Sequence, residues 1–432
     1  MKKLIAALIL VVVAVVFTAP YFTGKVAEIE TLKLVDYMNE TAFKNGETQV
    51  IEYNRGFRQT IARYKYTPPS WINKDSEGIA YVCQSQHKLT GIEYQCKLEE
   101  DSTYKEFVEP LSLTGSVSVF GDITQKITFT GLNDVDFDGE KINLPKAFFA
   151  LTTDASLSFY KVKARSEPFA HTNNEGVQVA FDGLSIDANL SQIARLLFTG
   201  EMSIALGDMT VVKDSEEVSI KGLSISTNTS AQKDNLDTEF SLAIDQITLP
   251  ETPYDSTESI DFSFAIKGLD KQAMVDYVEI GSEMQDSLFM ALSSDEEPSI
   301  ANMLSLYSRL IPAMEKMLKE NLELSIDASG TLNNKVNKAN FNFTLLESLT
   351  FAQLPMLALD PQSTVEKFEA NFSALINQVL IDNNPEMAEL IEQIPFIKVG
   401  DDNYKLDLKF NQDIQLNNKI ISVDELKATF EK

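Results

Sequence analysis

The spacing of hydrophobic and polar positions changes several times along the chain, and each spacing predicts a different element. Met1, Lys2 and Lys3 precede an unbroken apolar stretch from Leu4 to Phe17, extended by Thr18, Ala19, Pro20, Tyr21 and Phe22 before Gly24 and Lys25. A helix needs about 20 largely apolar residues to cross a bilayer core. Leu4 to Phe22 suffices, whereas Leu4 to Phe17 alone has the length of a signal-peptide core. Signal peptidase favours small residues at the third and first positions before its cut. Cutting after Ala19 or Gly24 places Phe17 or Phe22 third, and no cysteine follows the run to accept a lipid. The segment is therefore expected to be a retained anchor, residues 1–24. Lys2 and Lys3 hold its N-terminus in the cytoplasm, and Tyr21 and Phe22 sit at the outer headgroup level.

Beyond the anchor, Val26, Ile29, Leu32, Leu34, Val35 and Met38 recur at spacings of three and four, which predicts a juxtamembrane helix over residues 25–46. From there the period falls to two: Leu111 and Leu113; Val117 and Val119; Ile127 and Phe129; Val218 and Ile220; Phe240, Leu242 and Ile244; Phe262, Phe264 and Ile266; Phe341, Phe343 and Leu345. Such alternation predicts half-buried strands of a large antiparallel sheet with one wet face. A Gly-Leu pair recurs near strand ends, at Gly131-Leu132, Gly183-Leu184, Gly222-Leu223 and Gly268-Leu269. Glycine inside strand patterns marks bulges or tight bends, so the sheet is expected to curve.

Helical spacing returns in two insertions, near 271–321 and 363–394. The first holds helices over 271–292 and 299–321, the latter kinked at Pro312. The second holds a helix from Ser363 to Leu380, opened by a Ser363/Glu366 capping box, and another from Pro385 to Ile394, capped by Asn384. Two strands follow, Tyr404 to Phe410 and Asp413 to Leu416. The fold class is α+β: a large curved antiparallel sheet with flanking amphipathic helices, behind one N-terminal transmembrane helix, the exterior domain filling 47–432.

The chain has 432 residues, of which 64 are acidic and 37 basic, giving a net charge of −27. That charge opposes contact with phosphate backbones, so nucleic acid is excluded as a partner. The two cysteines, Cys83 and Cys96, lie beyond the anchor, in an oxidising compartment, at the ends of strand-like runs Ile79–Cys83 and Ile92–Cys96, with Gln84 to Gly91 as the turn. A disulfide there closes a loop of about 14 residues and stabilises by about 3 kcal/mol. Zinc binding with His87 lacks further ligands at suitable spacing.

Candidate chemistry is sparse. With only His87 and His171, neither a histidine metal site nor a nucleophilic triad is supported, and His171 is read as a loop residue. Asp134, Asp136 and Asp138, followed by Gly139, match the first half of a calcium loop, but Pro145 stands where the closing bidentate Glu belongs. They are read as a polar hairpin end with calcium as the minor alternative. Arg55, Arg58, Arg63 and Lys65, with Tyr53, Phe57 and Tyr64 among them, form a basic juxtamembrane segment that suits lipid headgroups or an acidic partner, or else one charged face of an early strand. Met284, Met290, Met303, Met314 and Met317 read as core packing or as an adaptable groove.

Several of these features together resemble the YdgA-like family of bacterial inner-membrane proteins of unknown function. The anchor followed by Tyr21-Phe22-Thr23-Gly24-Lys25 is similar to the family's opening, and Tyr53-Asn54-Arg55-Gly56-Phe57 to its Tyr-x-Arg-Gly motif. The sheet-then-helix order around Phe262 to Met274 and the ending from Asn417 to Leu426 are similar in kind. Gln59 and Thr60 replace the serine that the family tends to place after Arg-Gly, and the stretch holding Cys83 and Cys96 replaces its His-Gly-Pro segment. The resemblance implies an inner-membrane location and no reaction.

The sequence thus leads to a single-pass inner-membrane protein, N-terminus cytoplasmic and bulk periplasmic, with no cofactor and no catalytic residues. It is expected to bind an apolar, lipid-like ligand or another envelope protein. The alternatives are a self-associating assembly module, hence a homo-oligomer, and a hydrolase built on carboxylates.

Overall fold

The computed structural model describes residues 20–430, apart from 27, 30, 34, 37–38, 40–46, 68–77, 100–109, 138–139, 155, 195–196, 215, 250–256, 295–299, 354–365, 383 and 412. Most of the expected anchor, residues 1–19, therefore lies outside it. Among the described residues, no helix is long and apolar enough to cross a membrane. The chain divides into two compact units, residues 1–167 with 286–297, and residues 168–285 with 298–432. Each is built on antiparallel sheet, as the period-two patterning predicts.

In the first unit, helix α1 (residues 20–36) precedes a meander in which each strand pairs with the next: β1 (Glu47–Arg55), β2 (Gln59–Thr67), β3 (Ile79–Lys88), β4 (Gly91–Leu98), β5 (Leu111–Ser118) and β6 (Asp122–Phe129). A separate hairpin, β7 (Leu132–Phe137) with β8 (Glu140–Leu144), interrupts it before β9 (Ala147–Asp154) and β10 (Phe159–Ser166) complete the order. Up-and-down connection puts the β1–β2, β3–β4 and β5–β6 turns at one end. The register stacks Tyr64 against Tyr81, Cys83 against Cys96, Cys96 against Leu113 and Leu113 against Ile127, so one face is apolar across five strands. Ala62, Tyr64, Cys83 and Cys96 are its buried core.

The Cys83–Cys96 disulfide forms, as expected, between directly opposed residues with Cα atoms 3.9 Å apart. The turn of this hairpin is shorter than expected, only Leu89 and Thr90, because β3 continues to Lys88 and β4 starts at Gly91. The expected apolar stripe of α1 also changes role. Val26, Ile29 and Leu32 are exposed, and the face turned to the sheet carries Thr23, Gly24, Glu28, Thr31 and Val35.

The second unit opens with β11 (Phe169–Thr172), so His171 sits in a strand rather than a loop, its ring 6.4 Å from that of Phe169. Four long strands follow, each broken at the same level: β12 (Gln178–Phe181) into β13 (Leu184–Ala194), β14 (Leu197–Leu206) into β15 (Met209–Lys213), β16 (Glu216–Lys221) into β17 (Ser224–Gln232), and β18 (Asn235–Ile244) into β19 (Gln246–Thr248). The breaks, at Gly183, Gly207, Gly222 and Asp245, align across the sheet. Gly207 N–H donates to Gly183 O at 2.7 Å, Leu206 N–H to Leu223 O at 2.8 Å, and Asp245 N–H to Lys221 O at 3.0 Å. The line is a crease. All four Gly-Leu glycines, Gly131 among them, take positive φ, from 64° to 102°, the conformation that a β-carbon disfavours.

The sheet continues through β20 (Thr257–Asp270), β21 (Glu323–Leu332), β22 (Lys335–Leu345) and β23 (Phe368–Asn377). Between β20 and β21 stand α2 (Lys271–Ser294), of which residues 271–285 belong to this unit, and α3 (Ile300–Met317), the predicted pair, packed through Ile280, Leu306 and Ala313 with Met284 beside them. Arg309 and Glu283 clasp them bidentately at 2.6 and 3.0 Å. The helix expected from Ser363 to Leu380 is wrong. Phe368, Ala370, Phe372, Ala374 and Ile376 alternate at period two and form β23, held between β22 and β25 (Asn403–Asn411). Its intended cap, Ser363, lies outside the described residues. Only the short α4 (Gln378–Asp382) is helical there, followed by α5 (Pro385–Gln393), whose Asn384 cap accepts from Met387 N–H at 3.2 Å as predicted. β24 (Ile397–Val399) and β26 (Asp413–Leu416) share the edge of β25 opposite β23, and β27 (Lys419–Ile421) and α6 (Val423–Phe430) end the unit.

The crease sets a test. Gly222 and Gly176 both have positive φ, 64° and 81°, but a β-carbon at Gly222 collides with the Asp245 side chain and one at Gly176 meets nothing. Each Gly→Ala change carries a left-handed cost of about 1–2 kcal/mol. Denaturant unfolding is expected to show a distinctly larger loss for Gly222→Ala than for Gly176→Ala, and equal losses would contradict a tightly packed crease.

Candidate functional site

The first unit brings together residues that the sequence scatters. Gly24 of α1 faces the imidazole of His87 so closely that a β-carbon there would overlap the ring. Beside it, the Thr23 hydroxyl reaches Pro20 O at 3.0 Å and Lys88 O at 3.1 Å. Beyond α1, Asn39 exchanges two bonds with Thr48 of β1, both 2.9 Å. Between these ties Glu28 pairs with Arg55 at 3.3 Å. The Arg55 guanidinium also covers the Tyr21 ring at 5.0 Å, and that ring stacks on Phe57 at 6.4 Å.

His87 is buried, with Nε2 2.8 Å from the Thr60 hydroxyl and Nδ1 3.3 Å from Phe57 O. A carbonyl only accepts, so Nδ1 carries the proton and Nε2 accepts from Thr60. Tyr53 hydrogen-bonds Thr60 in turn. His87 is thus a structural joint between helix and sheet, and its neighbours Tyr21 to Gly24 and Tyr53 to Phe57 belong to the two segments noted for the family resemblance.

Against this joint lies a cavity of about 270 Å³ on the apolar face of the meander. Val35 and Thr31 of α1 close one side, the disulfide lines its floor, and Tyr53, Tyr64, Tyr81 and Tyr94 surround it. Tyr64 and Tyr81 stack at 5.3 Å. Gly115 makes room for Tyr94, because a β-carbon there would strike the ring. Among the described residues lining the cavity none is charged; its polar groups are phenols, Thr31, Thr48, Ser85 and Gln125. Burial raises the Tyr64 phenol well above its ordinary value, an effect its neighbouring phenols reinforce. It also pushes Tyr94 up to about 12, although Gln125 bonds to it. All four phenols remain neutral donors at physiological pH.

The basic segment does not form one patch. Arg55 turns inward to Glu28 and Tyr21, Arg58 is exposed in the β1–β2 turn, Arg63 pairs with Glu99 on the polar side of β2, and Lys65 lies further along that strand. Asp134 and Asp136 lie in the β7–β8 hairpin, where Asp134 N–H donates to Asn143 Oδ1 at 3.0 Å, and Asp138 lies outside the described residues. Among the described residues, no group of three His, Cys, Asp or Glu side chains gathers to hold a metal. In the second unit an open apolar groove of about 420 Å³ runs over Ala328, Ala339 and Ala374, with Met387, Ile394 and Phe396 along it.

A family model described as "Bacterial protein of unknown function (DUF945)" matches residues 1–424. The chain belongs to the DUF945 family. The YdgA-like resemblance agrees with that assignment. No curated protein and no solved structure matches the chain. For this DUF945 member the tyrosine cavity was the feature the sequence reading missed. Its signal was present as Tyr81, Cys83 and Ser85 on β3 facing Tyr94 and Cys96 on β4 at period two.

The raised phenols give a pH test. The folded chain holds the Tyr94 proton more tightly than the unfolded chain, so the stabilisation is complete below pH 10 and is lost as pH rises toward about 12. The loss is on the order of 2 kcal/mol. Tyrosinate absorbance during alkaline unfolding is expected to show a late-titrating phenol that Tyr94→Phe removes, with a smaller alkaline loss of stability in the variant.

Proposed function

We propose that this chain is a non-enzymatic protein, tethered to the inner membrane by residues 1–24, whose periplasmic first unit holds an apolar ligand in the tyrosine cavity. The supporting observation is the cavity itself: uncharged, largely apolar, with a few convergent hydroxyls, and roofed by the helix that follows the anchor. Its volume lies just below the range of about 300–1,000 Å³ usual for ligand sites, which suits a short segment of acyl chain or a small ring system rather than a whole lipid. An ionised group inside it would be desolvated without a partner, so the buried part of the ligand is neutral. The phenols supply hydrogen bonds at its polar end.

A second reading, self-association, draws on Leu304, Tyr307 and Ile311. These are exposed by 63%, 46% and 49% along one face of α3, a run of the kind that marks interaction surfaces.

Native mass spectrometry of the full chain extracted from bacterial membranes decides between them. The expected spectrum is a monomer carrying an apolar adduct, with Leu113→Trp, which fills the cavity from β5, lowering adduct occupancy roughly tenfold, about 1.4 kcal/mol. An empty oligomer would support the second reading instead, and an empty monomer would remove both.

A further inference from the structure

At one end of the first unit the three turns that the meander places together are laced to each other and to α1. His87 N–H donates to Arg58 O at 2.8 Å, Val119 N–H to Thr90 O at 3.0 Å, and the Thr23 hydroxyl to Lys88 O at 3.1 Å. Hairpin tips usually carry Gly, Asn, Asp or Ser. These carry Phe57, Leu89, Val119 and Phe120, and the start of α1 adds Tyr21 and Phe22, all six exposed.

Phe120 is the extreme case, 88% exposed. Nothing in its turn needs the ring. Ser118 Oγ accepts from Phe120 N–H at 3.2 Å and Asp122 N–H at 3.0 Å, and Gly121 supplies the positive φ of 92°. The backbone is fixed by Ser118 and Gly121, and the phenyl ring is presented outward on a rigid tip.

We infer that this rim is a membrane-contact surface, its exposed aromatic and aliphatic side chains lying in the outer headgroup region of the bilayer that holds the anchor. What commits it to lipid is where the chain arrives. The apolar stretch from Leu4 runs directly into Tyr21 and Phe22 on the rim itself, so the surface begins where a membrane span would end. Its composition agrees, since aromatic rings favour that depth. In a chain of net charge −27, Lys25 and Arg58 are exposed beside it, which suits anionic headgroups. Asp122 and Glu93 also lie near these turns, Asp122 bound by Ser118 and Glu93 paired with Lys88 at 2.5 Å. The contact fixes the first unit upright on the bilayer, with the β1–β2, β3–β4 and β5–β6 turns downward.

The inference rests on the tether proposed above, and its test separates the two. The full chain, with Trp71→Phe removing the native indole, receives either Phe120→Trp on the rim or Thr130→Trp at the opposite end of the same strands. It is reconstituted into phosphatidylethanolamine–phosphatidylglycerol vesicles containing brominated acyl chains. Quenching by bromine is expected to be several times stronger at position 120 than at 130, with intact mass showing the N-terminus retained. Equal quenching at full mass overturns the rim alone. Shielding of position 120 from an aqueous quencher without bromine quenching also overturns it, since a protein surface then covers the tip. A shortened mass overturns the tether and the rim's placement with it.

Discussion

The first unit depends on how closely α1 approaches the sheet at one point. Gly24 has no side chain, and the His87 imidazole occupies the space that one would need. From that contact the rest of the joint follows. Thr23 comes within reach of the Lys88 carbonyl, Glu28 meets Arg55, and Arg55 settles on Tyr21. A helix docked in this way needs no broad aliphatic stripe against the sheet, which is why Val26, Ile29 and Leu32 are left outside. His87 is fixed from within the sheet by Thr60 and Phe57, so its imidazole is buried with both ring nitrogens hydrogen-bonded, as polar groups removed from water need to be.

With α1 held there, Thr31 and Val35 lie over the apolar face of the meander and a cavity is left beneath them. Its floor is pinned by the Cys83–Cys96 disulfide across two adjacent strands. Its walls are phenols, which are stiff, bulky and able to donate one hydrogen bond each. Burial keeps those phenols protonated, so the site offers neutral chemistry in a chain of otherwise strongly acidic character. The second unit solves a different problem, bending four long strands along a line of three glycines and Asp245, where a β-carbon on a glycine would meet Asp182, Asp245 or a strained φ.

Much of this was readable from residue spacing. The period-two runs located β5, β20 and β22, the Gly-Leu pairs located bends, and Asn384-Pro385 located the start of α5. The failures share a cause. Phe368 to Ile376 alternates as a strand does, but a capping-box pattern before it suggested a helix; pairing on both sides with β22 and β25 outweighs that local signal. The basic segment looked continuous in sequence, yet alternation along β2 and the inward turn of Arg55 disperse its charges. The cavity was hidden for a related reason: its tyrosines come from β1, β2, β3 and β4, and only strand register brings them together. The joint at Gly24 was also illegible, since the helix and His87 lie more than 60 residues apart, and the adjoining Thr23–Lys88 bond spans 65 positions.

The central claim is that the Gly24–His87 joint holds α1 in place over the apolar face of the meander and so forms one wall of the cavity. Hydrogen exchange on the full chain carrying Gly24→Val, compared with the unsubstituted chain, tests it most directly. The account predicts that amides of α1 and of β3 exchange at least roughly tenfold faster, about 1.4 kcal/mol of lost protection, and that β20 to β23 are unchanged. Unaltered protection in α1 and β3 would contradict it.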